Sequence, residues 1–244
     1  MKHPTLATLL TALALATGLI AGPVSIAGRN GPAPATTVTN SPPLRSTGPG
    51  SYAIGEIRFT TTNRTVRLPA TVNMVEGLVE YWLVASNGKT HESLFKTTAE
   101  PLHLHLAMLF LGAKGATNAS PDKMDATLPV PGDDIRIWAE WTDGKKTIRR
   151  RAEELVTQRK EKKPMSAGPW TYNGSWTFEG RFVAQTERSF ISIIRDPAAL
   201  ANNPRPGRDD DELWEANTAL MPVMGTPVEI VIELPVQNNQ KSSP

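Results

Sequence analysis

The chain has 244 residues, with 26 Lys and Arg against 24 Asp and Glu, and it contains no cysteine. The lack of cysteine excludes disulfides, thiolate zinc sites, cysteine-ligated iron–sulfur clusters and cysteine nucleophiles. A formal charge of +2, which falls to +1 if Lys2 leaves with a cleaved leader, argues against broad electrostatic capture of nucleic acid.

Lys2 and His3 precede an uncharged run from Leu6 to Ile20, built mostly of Ala, Leu and Thr and ended by Gly22 and Pro23. That order is the order of a secretory signal, and the run is shorter than the ~20 apolar residues that span a bilayer as a helix. Ser25 and Ala27 supply the small residues that a signal peptidase reads, so residues 1–27 are expected to be a signal peptide. An uncleaved amino-terminal anchor is the alternative. The mature chain is expected to be exported to a periplasmic or extracellular compartment and to carry no transmembrane segment. Residues 28–52, rich in Pro, Gly and Thr, read as a flexible linker. Residues 53–236 read as one strand-rich domain, and 237–244 as a disordered tail.

Within the domain, GEIRFT, TVRLPATVNM and VEGLVEYWLVA are successive strand patterns. Alternation in the last places Leu78, Glu80, Trp82 and Val84 on one face and Val79, Tyr81 and Leu83 on the other. Asn87-Gly88 is a reverse-turn pair, which predicts that THESLFKT returns antiparallel to that strand. The apolar period then changes. TAEPLHLHLAMLFLG predicts a buried helix of about three turns, capped by Thr98, with Pro101 in its first turn and Gly112 as its stop. A strand from His103 to Leu109 is the alternative.

Beyond a polar excursion with Gly115, Asn118 and Pro121, DIRIWAEW alternates Ile135, Ile137 and Ala139 against Arg136, Trp138 and Glu140. Asp143-Gly144 turns the chain into KKTIRRRAEELV, whose end suits one helical turn. WTYNGSWTFEG, RFVAQ, FISIIRD and VEIVIELP supply the remaining strands. Between the last two lies a long Pro-, Asn- and acid-rich loop, with one short helix expected around Glu212 to Asn217. The fold expected is mainly β: a mixed, mostly antiparallel sandwich or partly open barrel with one packed helix and a long late loop.

The histidines of the mature chain are His91, His103 and His105, and Glu76, Glu80, Glu92 and Glu100 lie near them in sequence. A divalent metal would find its nitrogen and oxygen ligands there, with His91, His103, His105, Glu80 and Glu92 the leading set. The helix decides this reading: on a helix His103 and His105 point about 200° apart, whereas on a strand they share a face as an H-x-H chelate. His91, Glu92 and Ser93 are also the catalytic candidates. Ser93 as a nucleophile requires His91 within hydrogen-bond reach, and strand alternation would set Glu92 opposite His91.

Asp209, Asp210, Asp211 and Glu212 form an acidic run that reads as a solvated loop, a helix amino terminus or a hard-cation site, with Arg205 and Arg208 close enough to neutralise part of it. Lys145, Lys146, Arg149, Arg150, Arg151, Arg159, Lys160, Lys162 and Lys163 form a basic stretch diluted by Glu153, Glu154 and Glu161. It reads as a charged edge or as a surface for an anionic ligand. Of the six tryptophans, Trp170 and Trp214 fall near expected loops, while the others sit in strand patterns that fill a core.

GEIRF, RTVRLPATVNMVEGLVEYWLV, GKTHESLF, LHLAMLFLG, FISIIRDPAAL and GTPVEIVI together resemble the YdjY-type domain of bacterial exported proteins over about residues 53–235. GKTHES at Gly88 to Ser93 is the most specific of these blocks. The resemblance draws attention to His91, Glu92 and Ser93, to one of His103 and His105, and to a late loop with Asp196, Pro197, Asn202 and Asn203. Some relatives are joined to ferredoxin-like iron–sulfur modules, so a redox role would here need a separate partner protein. The leading expectation is an extracytoplasmic binding or accessory domain. The alternatives are a metal-assisted hydrolase or redox accessory protein using the His91 region, and an interaction module for an anionic envelope component. The expected partners are accordingly an envelope protein or an anionic ligand.

Overall fold

Regular structure begins earlier than expected. In the computed structural model, which describes residues 43–116 and 127–235, β1 (Arg45–Gly48) and β2 (Ser51–Ile54) already form a hairpin. The expected linker therefore gives way to sheet at Arg45. Hydrogen bonding to the next strand holds β2 in place, a long-range effect that composition does not report. The expected signal segment, residues 28–42 and the tail 237–244 lie outside the described residues, as do Asn118 and Pro121.

The chain continues through β3 (Ile57–Thr60), β4 (Thr65–Val72), β5 (Tyr81–Ala85), β6 (Ser93–Thr97) and helix α1 (Pro101–Phe110). Next come β7 (Asp133–Asp143), β8 (Lys146–Arg151), β9 (Val156–Gln158), β10 (Lys163–Pro164), β11 (Trp170–Tyr172), β12 (Thr177–Phe178) and β13 (Arg181–Phe182). A short α2 (Val183–Glu187), β14 (Ser189–Ser192), β15 (Ala201–Asn202), β16 (Trp214–Ala216) and β17 (Pro227–Glu233) complete the described fold.

Eight of these strands close into a ring, in the order β4, β17, β7, β11, β15, β14, β5, β6 and back to β4. Closure runs through Thr71↔Lys96 and Val72↔Phe95, and only the β5–β6 and β14–β15 pairings are parallel. The class is mainly β and mostly antiparallel, as expected, and of the two forms expected, a sandwich or a partly open barrel, the chain takes the barrel, with its ring complete. Strands β3, β2 and β1 extend the sheet beyond β4, and β8 extends it beyond β7. Alternation fills the interior: Ile135, Ile137 and Ala139 are buried and Arg136 is exposed, as the pattern predicts. Across the outer face Arg58, Glu229, Arg67, Glu140, Arg149 and Glu233 form a ladder of ion pairs over neighbouring strands.

The predicted β5–β6 hairpin is corrected. After Asn87-Gly88 the chain doubles back through a 3₁₀ helix, Thr90–Glu92, and β6 runs parallel to β5 with Tyr81↔Ser93 and Ala85↔Thr97. Residues 86–92 make this return, fewer than the dozen or so residues that parallel connections usually take. Gly88 permits it: a Cβ there would lie 2.9 Å from Cβ of Arg188 and 3.1 Å from the Ala85 and Arg188 carbonyl oxygens.

Helix α1 forms where the period predicts it, which removes the strand alternative. Its amino terminus is not capped by Thr98, whose hydroxyl donates to Glu56; the Leu102 N–H instead donates to Oε1 of Gln185 on α2, at 3.0 Å. Gly112, at φ 82°, ends the helix as predicted, with its N–H on the Leu109 carbonyl and that of Ala113 on the Met108 carbonyl.

The one-turn helix at AEELV is present as a 3₁₀ turn, Ala152–Leu155. In RFVAQ only Arg181 and Phe182 are extended, and Val183–Glu187 is α2. No helix forms around Glu212 to Asn217: Trp214–Ala216 is a strand that pairs with β9, because that pairing buries Trp214 to 1% exposure. No helix among the described residues is long and apolar enough to cross a membrane.

Candidate functional site

Strand direction gives the barrel two ends. Tyr81, Ser93, Ser192 and Asn202 share one of them through the Tyr81↔Ser93, Ser192↔Tyr81 and Ser192↔Asn202 pairings. Ala85 and Thr97 mark the other, where α1 follows β6 and packs on β3, β4 and α2. His91 therefore sits at the first end, and His103 and His105 on the helix at the second. The four steps from Ser93 to Thr97 along β6 put roughly 13 Å between those ends. His91 and the helical histidines cannot share an ion, and on a helix His103 and His105 point apart. Among the described residues no group of three or more His, Cys, Asp or Glu side chains is arranged to hold a metal.

At the first end the late loop meets the GKTHES block. Lys89 Nζ donates to the Tyr81 hydroxyl at 2.7 Å, and that hydroxyl donates to Asp196 Oδ2 at 3.0 Å. Burial, followed by the Asp196 charge, raises the Tyr81 pKa, so the phenol stays neutral and remains a donor. Asp196 is fixed from behind: its N–H donates to Asn202 Oδ1 at 2.8 Å, and its Oδ1 accepts the Ala198 N–H at 2.9 Å. Asn202 is wholly buried and donates to the Asp196 carbonyl and to Asn173 Oδ1, both at 2.9 Å. Asn203 donates to the Ile193 carbonyl at 3.0 Å and receives Arg205, so it braces the loop and does not face solvent.

Around this chain lie Glu80, Glu92, His91 and Asp211. Burial raises the Glu80 pKa, the Glu92 and Asp211 charges raise it further, and Lys89 and His91 oppose the rise. His91 is highly exposed, with Nε2 3.5 Å from Glu92 Oε2. The adjacent acid is thus its partner after all, because a 3₁₀ turn, unlike a strand, does not put neighbouring side chains on opposite faces. Ser93 is fully buried and donates to the Phe95 carbonyl at 2.8 Å, which removes it as a nucleophile for His91. Glu76 is exposed, and Glu100 accepts from Gln185 and Arg188 at the helix end.

The acidic run folds as a turn-rich loop beside this end. Asp209 pairs with Arg195, and Asp210 Oδ1 accepts the Glu212 N–H at 3.0 Å. Arg205, expected to neutralise the run, instead donates to the Ser166 and Gly168 carbonyls. Arg208 donates to the Leu128 carbonyl at 2.8 Å. The basic stretch is divided between β8 and the β9–β10 sheet, and much of it is paired: Arg149 with Glu140 and Glu233, Arg150 with Glu154, Lys162 with Glu215. Trp170 and Trp214, expected near loops, are among the most buried side chains.

A model of the YdjY domain matches residues 57–233. The chain belongs to the YdjY-domain family. No curated protein and no solved structure matches it. The match covers all eight strands of the ring and both blocks that meet at its first end, so the Lys89–Tyr81–Asp196 chain is built wholly within the YdjY domain. Tyr81 and Lys89 escaped attention as site residues from sequence alone. Lys89 stands inside the GKTHES block, which was a usable signal; Tyr81 meets Asp196 across 115 positions, for which the sequence holds none.

Proposed function

We propose that this YdjY-domain protein is exported and acts outside the cytoplasm as a binding or accessory domain, with the barrel end around Glu80, His91 and Glu92 as its contact surface. One observation carries the reading. The Glu80 N–H donates to the Glu92 carbonyl at 2.9 Å, which sets the two acids side by side next to an exposed His91, and burial, then the Glu92 charge, raises the Glu80 pKa; the Ser93 hydroxyl is committed to the Phe95 carbonyl and the Tyr81 hydroxyl to Lys89 and Asp196. Mutually repelling, partly desolvated carboxylates gain from a donor-rich or cationic partner group. Among the described residues, the same end presents no activated nucleophile with a base at hand. The separation of His91 from His103 and His105 speaks against the metal-assisted alternative, and the division of the basic stretch against the anionic-surface one. Export rests on the amino-terminal pattern of residues 1–27.

The test is a photo-crosslinking amino acid at position 91 of the full chain in its own cells, with position 187 as a control. We expect a discrete adduct from position 91 that disappears when Glu80→Lys and Glu92→Lys are added. Adducts that ignore the charge reversal, or that match those from position 187, would reject this face as the contact surface. Elemental analysis of untagged protein prepared without chelator checks the alternative: near-stoichiometric metal lost in His91→Ala would restore it.

A further inference from the structure

The edge of the large sheet at β8 combines free backbone groups with an apolar groove. β8 pairs with β7 alone, and outside that pairing Lys146–Arg150 make no backbone hydrogen bond among the described residues. An antiparallel pair exchanges both of its bonds at every second residue, so the residues between aim N–H and C=O away from the partner strand. The Arg151 N–H is one that points away, because it donates to Glu154 Oε2 at 2.7 Å. Alternation therefore turns the N–H and C=O groups of Thr147 and Arg149 outward, and both residues are exposed.

The pleat gives this edge two faces. Thr147, Arg149 and Arg151 project to the outer face, where Arg149 is tied to Glu140 and Glu233. Ile148 and Arg150 project to the other face, which they share with Trp141, the cross-strand partner of Ile148. There the segment before β17 leaves a groove of about 370 Å³, lined by Trp141, Ile148, Leu220, Met221, Pro222 and Val223 among others. None of these six side chains is fully buried, and Val223 is 80% exposed.

Charge selects the occupant. Residues 145–151 carry Lys145, Lys146, Arg149, Arg150 and Arg151 and no acid. The acids that pair with the three arginines stand behind the edge or past its end: Glu140 on β7, Glu233 on β17, and Glu153 and Glu154 in the 3₁₀ turn. Asp143, opposite Lys146, also belongs to β7. A second copy is disfavoured, since β8 against β8 would set cation beside cation. An acidic strand meets the opposite condition. The chain's own flanks do not supply one, because residues 28–42 and 236–244 contain Arg29 and Lys241 but no Asp or Glu.

We infer that β8 takes up an extended acidic segment of another protein as an added strand, with apolar side chains at every second position directed to the groove beside Trp141. This surface uses β8 and not the whole basic stretch, and it does not depend on the contact surface around His91. The probe is a capped hexapeptide of alternating Glu and Val, matched to the six residues of β8 and added to ¹⁵N-labelled full-chain protein. We expect the Thr147 and Arg149 amides to exchange rapidly with solvent in the free protein and to become protected as the peptide saturates, while Ile148 and Arg150 are protected throughout. Of two peptides N-methylated at alternate residues, one should bind about tenfold more weakly and the other as the parent does, because an added strand offers β8 only one of its edges. Thr147→Pro, which removes an outward N–H and no bond to β7, should abolish binding, and Thr147→Ala should not. No saturable protection, equal binding of the two N-methylated peptides, equal binding of a Lys-for-Glu peptide, or a dimer that forms without peptide and is lost in Thr147→Pro would each overturn the assignment.

Discussion

His105 is held in a setting that favours its neutral form. Its Nδ1 lies 2.7 Å from the Tyr172 hydroxyl, its ring centroid is 4.7 Å from that of Phe182, and burial lowers its pKa to about 4. Burial raises the Tyr172 pKa, so the phenol keeps its proton and donates it to Nδ1. An unfolded chain protonates this histidine near pH 6.5, whereas the folded one resists until about pH 4. Between those values the unfolded state holds the extra proton, so stability falls as pH falls through the window. Allowing for partial solvent contact, the loss is about 2 kcal/mol. His103, also lowered by burial, acts in the same direction. Urea unfolding at pH 7 and pH 4.5 should show a larger acid loss in the wild type than in His105→Gln. Equal losses would mean that the ring is not held neutral.

The return from β5 to β6 depends on a close approach between elements. Arg188, which Gly88 touches, caps α2 in the left-handed region at φ 61°, so its backbone has little freedom to withdraw. Gly88→Ala should lower stability by roughly 1–3 kcal/mol through overpacking. Gly48→Ala, whose new methyl meets only Ser51 Cβ at 4.0 Å, should stay within about 0.5 kcal/mol on that count. Thermal midpoints compared between the two variants check this, and a neutral Gly88→Ala would show that residues 86–92 do not need the contact. The same contact explains why the direction of β6 was illegible. Asn87-Gly88 correctly announces a reversal, but whether one reversal or two follows depends on what the loop packs against, and Arg188 is a hundred residues further along the chain. Helix α1 was legible because its period, Pro101 and Gly112 are local. Its cap was not, since Gln185 comes from another element.

For the molecule as a whole, closure depends on its last strand. β17 pairs with β4 from Thr65 to Thr71 and with β7 from Arg136 to Glu140, joining the two halves of the ring. Truncation after Thr226 should therefore abolish cooperative unfolding and the near-ultraviolet circular dichroism of the buried tryptophans, Trp82 among them. A cooperative transition retained by the truncated chain would show that the ring does not need β17.

Alternation and turn residues, acting over a few positions, determined the strand-rich class, the inward face of β7 and the place of α1. The GKTHES block, contiguous in sequence, marked half of the candidate site. Which end of the barrel each histidine occupies and the meeting of Tyr81 with Asp196 were decided only by the tertiary structure. Each depends on strand direction and ring closure between segments far apart in the chain, where the free energy comes from burial and pairing that no local pattern encodes.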